Sequence, residues 1–160
     1  MKSRRRGPIS LSVLLITVGL LLLPACGLQP AQPPSSDPLT GRLDNLISLY
    51  KNGRISMIDI SSVTDFAWDR LHIFEPYTPA SYLDAAAGPF WRMNCATQIE
   101  DHDGITLLLF ARGGSVVRCL DYAGKNAFAV PWPPPSQGYS PQQALFVLDD
   151  QARLVLHPHP

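Results

Sequence analysis

The stretch ITLLLFARGGSVVRCLDY, Ile105 to Tyr122, constrains the fold more than any other part of the chain. Two runs rich in aliphatic and β-branched residues flank Gly113-Gly114, a pair that takes positive φ readily and closes a tight hairpin. Ile105–Ala111 and Ser115–Tyr122 are therefore read as antiparallel partners. The pattern extends on both sides. Trp91–Ile99 alternates and reads as a preceding strand, with Asp101-His102-Asp103-Gly104 as a solvated hairpin turn. Asn126–Val130 reads as a further strand ended by Pro131, and Ala144–Leu148 with Arg153–Leu156 as a last hairpin.

Helices are fewer. In LTGRLDNLISLYK, Leu39–Lys51, the residues Leu43, Leu46, Ile47 and Tyr50 recur at helical spacing before Asn52-Gly53 stops the run. Arg54–Ile60 then reads as a strand, as do residues 70–75. Pro79–Ala87 reads as a short helix stopped by Gly88-Pro89. The expected class is α+β: an antiparallel meander plus a C-terminal hairpin, with two short helices on one face.

The N-terminal region follows a different logic. Lys2, Arg4, Arg5 and Arg6 precede fifteen uncharged positions, Ile9–Leu23. A helix of that length covers about 22 Å, short of a bilayer core of about 30 Å, but suited to the apolar region of a secretory signal. The run ends at Leu23-Pro24-Ala25-Cys26. This resembles the lipobox of bacterial lipoproteins. The resemblance implies cleavage between Ala25 and Cys26 and attachment of diacylglycerol to the Cys26 thiol, often with acylation of the new amine. Gly27, where an Asp would favour inner-membrane retention, leans by the same resemblance to the outer membrane, facing the periplasm, if the envelope is Gram-negative. An uncut anchor and an ordinary secretory signal are the alternative readings. The expected organisation is a signal over residues 1–25, the lipidated cysteine and a tether over 26–38, and one α+β domain over 39–160. The tether, GLQPAQPPSSDP, holds four prolines, and twelve extended residues reach about 35 Å.

Removing the signal changes the charge. It carries 4 of the 13 basic residues and none of the 13 acids, which leaves 9 against 13, a net −4. A mildly acidic domain argues against nucleic acid as a partner, since such binding wants a basic face. The expected contacts are the membrane, through the lipid, and an envelope protein.

DFAWDRLHIFEPYTP, Asp65–Pro79, is the most distinctive stretch of the folded part. Its Trp-Asp-basic-aliphatic core, running on to Phe74, Pro76, Tyr77 and Thr78, resembles a motif of small bacterial envelope proteins that are mostly uncharacterised, with His72 in place of the usual aromatic. LLLFARGGSVVRCLDY is a weaker echo of a hairpin in similar proteins. The resemblance brings no activity with it. Alternation places Leu71 and Ile73 on one face and Arg70, His72 and Phe74 on the other. Trp68, Asp69, Arg70, His72, Phe74 and Tyr77 are thus candidates for an interaction surface. Trp132 joins them from the proline loop PWPPPSQGYSP, which reads as a cover for a sheet edge or as a recognition element.

Two cysteines remain in the domain, Cys95 and Cys119. An oxidising compartment favours a disulfide. A plain meander argues otherwise: with Gly113-Gly114 at the tip, Leu108 faces Cys119 and Cys95 faces Phe110, so a whole strand separates the cysteines. Two strand spacings are about 9–10 Å, beyond the roughly 7 Å a disulfide spans. Either the meander fails or both thiols are free.

The remaining chemistry is sparse. Glu100–Gly104 resembles the start of a calcium loop, but the twelfth position from Asp101 is Arg112 where an EF-hand needs Glu. His157 and His159 are too few for a zinc site. Asp69 and Glu75 alternate away from Arg70 and His72, so they do not converge for acid–base work. No cofactor, metal or catalytic set is expected. The expected function is a membrane-anchored envelope lipoprotein acting as a non-catalytic binding or envelope-maintenance module. The alternative is a small hydrolase or thiol-dependent enzyme using Cys95 and a histidine.

Overall fold

The computed structural model describes residues 37–123 and 127–157. The cleavage and lipidation positions, Ala25 and Cys26, lie outside them. The elements are α1 (Pro38–Lys51), β1 (Ile58–Asp59), β2 (Arg70–Phe74), α2 (Ala80–Ala87), β3 (Ile105–Arg112), β4 (Ser115–Ala123), β5 (Leu145–Leu148) and β6 (Leu154–Leu156), with 3₁₀ turns at Ile60–Val63 and Trp91–Met93. The α+β class holds, but the strands form two antiparallel sheets, ordered β2-β3-β4 and β1-β5-β6. Among the described residues no helix is long and apolar enough to cross a membrane.

The β3–β4 hairpin turns at Gly113 and Gly114, both at positive φ as the sequence demands. Its register departs from the expected one. Arg112 pairs with Ser115 and Ala111 with Val116, but Phe110 pairs with Arg118. The skipped residue, Val117, is a β-bulge, and beyond it every β4 side chain changes faces relative to an unbulged ladder. Cys119 therefore opposes Leu109, not Leu108.

β3 is buried along seven of its eight residues, because both of its faces are covered. Leu108 and Phe110 pack with Leu71, Ile73, Leu120 and Tyr122 against Leu39 and Leu43 of α1 and against Ile58, Phe146 and Leu154 of the second sheet. Leu107, Leu109 and Ala111 point the other way, to Leu83 of α2, Trp91, Cys95 and Ile99. Adjacent side chains of a strand point to opposite faces, so the two helices cover opposite faces of the central sheet. The expectation of both on one face is corrected: each side of β3 is apolar and each needs its own cover.

α1 starts where Asp37 accepts a hydrogen bond from the Leu39 N–H at 2.9 Å, with Pro38 in the first turn. Leu39, Leu43, Leu46, Ile47 and Tyr50 give it one apolar stripe toward the sheet, and Gly53 at φ 65° follows its end. The Tyr122 hydroxyl donates to Asp44 Oδ1 at 2.6 Å and ties α1 to β4. Burial, then the Asp44 carboxylate, raise that phenol's pKa above the ordinary tyrosine range.

Three expected strands are corrected. Trp91–Ile99 is a 3₁₀ turn and an irregular segment. Its backbone does not enter the ladder. It is held by side chains instead: Asn94 Nδ2 donates to the Val116 carbonyl at 3.4 Å, Thr97 Oγ1 donates to Asp121, and Asp121 also accepts the Gln98 N–H at 3.0 Å. The turn at residues 101–104 is exposed as expected but closes no hairpin; there the Gly104 N–H donates to His102 Nδ1 at 3.0 Å. Of Arg54–Ile60, only Ile58 and Asp59 pair as strand. Of the described residues in Asn126–Val130, Phe128 makes one parallel bridge to Leu154.

Candidate functional site

The seven candidate surface residues separate by exposure. Trp68 is buried, its indole N–H donating to Thr64 Oγ1 at 3.0 Å and its ring edge-on to Phe110. His72 and Phe74 are buried as well, 4% and 1% exposed. These three are core, and their place in the proposed surface is corrected. The alternation was right, but both faces of β2 are covered. Asp69 is exposed and accepts the Gly113 N–H at 2.8 Å, so it braces the tip of the β3–β4 hairpin. Arg70 is exposed and donates to the Asp69 carbonyl. Tyr77 and Trp132, each 59% exposed, remain as surface aromatics.

Trp132 finds a partner that the sequence did not suggest. Its ring lies against Tyr82 of α2, centroids 5.0 Å apart. Beside Tyr82 opens a cleft of about 420 Å³ lined by Phe74, Tyr82, Ala85, Ala86, Pro133, Pro134, Pro135 and Ser136. The local reasons are visible. Ala85 and Ala86 of α2 line one side, and their short side chains leave the space open. Prolines present an apolar wall with no N–H to solvate. The cleft is half open to solvent and its lining is mainly apolar.

The proline loop is anchored at its far end. The Tyr139 N–H donates to the Leu71 carbonyl and the Leu71 N–H to the Tyr139 carbonyl, both at 2.8 Å. The loop thus caps the edge of β2 and also walls the cleft. Gly138, at φ 60°, rides directly over His72. A Cβ there would stand 2.9 Å from the imidazole Nδ1 and Cε1 and 2.7 Å from the Leu71 carbonyl oxygen, so glycine is required. Burial, with the Arg70 charge second, lowers the His72 pKa, against the Pro135 carbonyl, which favours the protonated ring. The ring is therefore neutral at pH 7.

Further exposed apolar side chains follow α2. Phe90 is 74% exposed and Met93 79%. Between them, Arg92 lies over the Trp91 ring and pairs with Asp84 and Glu100.

The cysteines are joined. Cys95 and Cys119 form a disulfide with their Cα atoms 5.5 Å apart. Both premises of the meander argument fail: Trp91–Ile99 runs irregularly past β4 instead of pairing with β3, and the bulge turns Cys119 toward it. Cys95 is 4% exposed, and its sulfur is bonded to Cys119. Among the described residues no three His, Cys, Asp or Glu gather as a metal site. Sequence reasoning missed Tyr82, Phe90 and Met93. The available signal was a tyrosine on the helix ASYLDAAA, about 100° around the helix from Leu83, the position that must be buried. Compared with known proteins, the chain matches no family model, no curated protein and no solved structure.

Proposed function

We propose that this chain is an acylated envelope lipoprotein whose domain is a non-catalytic binding module, and that the cleft beside α2 receives an apolar side chain of an envelope protein partner. The observation that carries the binding role is an apolar cleft lined by Tyr82, with the exposed Trp132 ring packed against that tyrosine. Exposed Trp and Tyr supply large contact area at low entropic cost and dominate binding energy at protein interfaces. The acid–base candidates support the same reading from the other side. Asp69 is engaged in bracing a hairpin, and His72 is sealed beneath a loop.

The anchoring role rests on Leu23–Cys26. Two or three acyl chains bind stably, at about 0.8 kcal/mol per buried CH₂. Cys26→Ser should abolish processing and membrane association; their persistence would remove the lipoprotein reading. The binding role is tested separately. A photo-crosslinking residue at position 82 should capture one discrete protein in cells, and Trp132→Ala should reduce that capture at least tenfold. The same probe at Val117, on the bulged edge of β4, serves as control. Equal capture from both positions would defeat the cleft as a binding site.

A further inference from the structure

His72 is a buried imidazole beneath the wall of the cleft, and burial and the Arg70 charge favour its neutral form over the opposing pull of the Pro135 carbonyl. The ring is 4% exposed, and Nδ1 makes no hydrogen bond. Phe74 lies nearly parallel to it, ring planes 9° apart, and Phe74 also lines the cleft. Its strand neighbour on β3 is Leu109. Its cover is the loop, through Pro135 and Gly138. None of these four residues ionises. The charged group that acts on the ring is Arg70, two residues away on the same face of β2, and it has the same sign.

We infer that the proline loop is an acid-released latch: protonation of His72 lifts residues 133–138 from β2 and reshapes the cleft. Adding a proton creates an imidazolium with no counter-charge, close to Arg70, in a site closed to water. The ring must then reach solvent. β2 and β3 are fixed to one another by five paired residues, whereas the loop is held by the Gly138–Pro135 turn, the Leu71–Tyr139 pair, the Trp132–Tyr82 ring contact and the Pro135 carbonyl on the His72 ring. The loop is the weaker cover and yields first. Pro133, Pro134, Pro135 and Ser136 move with it, and they are one wall of the cleft. Resting on the binding role proposed above, the cleft would release its partner in acid; the movement itself does not depend on that role.

The sign is set by linkage. The folded-state pKa is lowered, so the closed form is fully favoured above the unfolded value near 6.5. It loses ground as the pH falls below that, until the folded pKa is passed. The test uses the purified chain labelled with 5-fluorotryptophan and ¹³C-histidine, titrated from pH 7.5 to 4.5. The Trp132 fluorine resonance, assigned by Trp132→Phe, should shift with the same midpoint as the His72 ring, below 6.5. Trp68 and Trp91 should stay in place. His72→Phe should abolish the Trp132 shift. Arg70→Gln, at an exposed position, should raise the midpoint by removing the like charge, which keeps the test decisive if His72→Phe does not fold. A Trp132 resonance that ignores the titration of His72, that still shifts in His72→Phe, whose midpoint is unmoved by Arg70→Gln, or that moves only together with Trp68 and Trp91 would overturn the latch.

Discussion

On one face of the central sheet, Leu108 and Phe110 belong to a cluster of 16 buried residues among those described, reaching from α1 to the second sheet. On the other face, Leu107 and Leu109 belong to a cluster of 10. The larger cluster is closed by α1 and the second sheet, by Trp68, Phe128, Tyr139 and Ala144 from the connecting chain, and by edge-on aromatic contacts: Phe66 and Trp68 on Phe110, and Phe128 on Phe146. The smaller is closed by one eight-residue helix, an irregular segment and a disulfide. Tyr77, Tyr82, Phe90 and Met93, four of the exposed large apolar side chains, sit on this thinner side. A mobile or ligand-facing surface is drawn from the less stable part of a fold, and here that part is covalently stapled. The thin face stays ordered without the burial that the thick face has.

The contrast is tested most directly by one substitution made on both faces. Leu108 and Leu109 are neighbours on β3, 1% and 0% exposed, and differ in which face they serve. Leu108→Ala should cost about 4 kcal/mol in urea unfolding, because the cluster around it is bounded by sheets and helix and relaxes little. Leu109→Ala should cost about 2.5 kcal/mol, because irregular chain on that side settles into the space. Equal losses would mean that the thin face is as rigid as the thick one, and the division would fail.

The next largest effect concerns the staple. The disulfide spans a sequence separation of 24, and closing such a loop stabilises by about 3 kcal/mol in the chain-entropy model. Cys95→Ser with Cys119→Ser should lose that amount. Hydrogen exchange should also rise first in residues 91–99 and α2, while α1 stays protected. On the thick face the comparable tie between α1 and β4 is non-covalent, through Tyr122 with Asp44 and Arg118 with Asp37. If the double variant exchanges uniformly across both faces, the disulfide acts only on the unfolded chain.

How far the sequence foretold these faces depends on the range of the interaction concerned. The Gly113-Gly114 hairpin, α1, α2 and the β5–β6 hairpin were legible because short-range patterns encode them. The bulge at Val117 was not, since no local residue marks it, and one unpaired residue reversed the face of Cys119. Trp91–Ile99 has the alternation of a strand, but distant side chains, Val116 to Asp121, decide what it does. At the candidate site, the motif from Trp68 to Thr78 points to Tyr77 and the proline-rich loop to Trp132. Tyr82 was missed because its importance comes from a loop about fifty residues away. Alternation tells which residues share a face and not whether that face is covered, so the sequence alone leaves His72 and Phe74 on a surface that the fold buries.

The smallest expected effect also separates the two sides. Among the described residues two that are not glycine have positive φ: Tyr77 at 62° on the thin side and Ala152 at 59° in the turn between β5 and β6. Glu75-Pro76-Tyr77-Thr78 follows a type II turn, with proline second, the Thr78 N–H donating to the Glu75 carbonyl at 3.3 Å, and a bulky residue where glycine or asparagine is usual. Left-handed backbone costs a residue such as tyrosine about 1 kcal/mol. The ring is 59% exposed, so its removal forfeits little burial. Tyr77→Asn should therefore stabilise by about 0.5–1 kcal/mol, and Ala152→Asn by a similar amount. Only the first should lower crosslinked capture from position 82. A stability gain paired with a binding loss at Tyr77, beside a gain alone at Ala152, is what a strained aromatic kept for contact produces. A loss of stability in Tyr77→Asn would instead make the ring part of the packing, and the thin face would then extend further over α2 than its buried residues indicate.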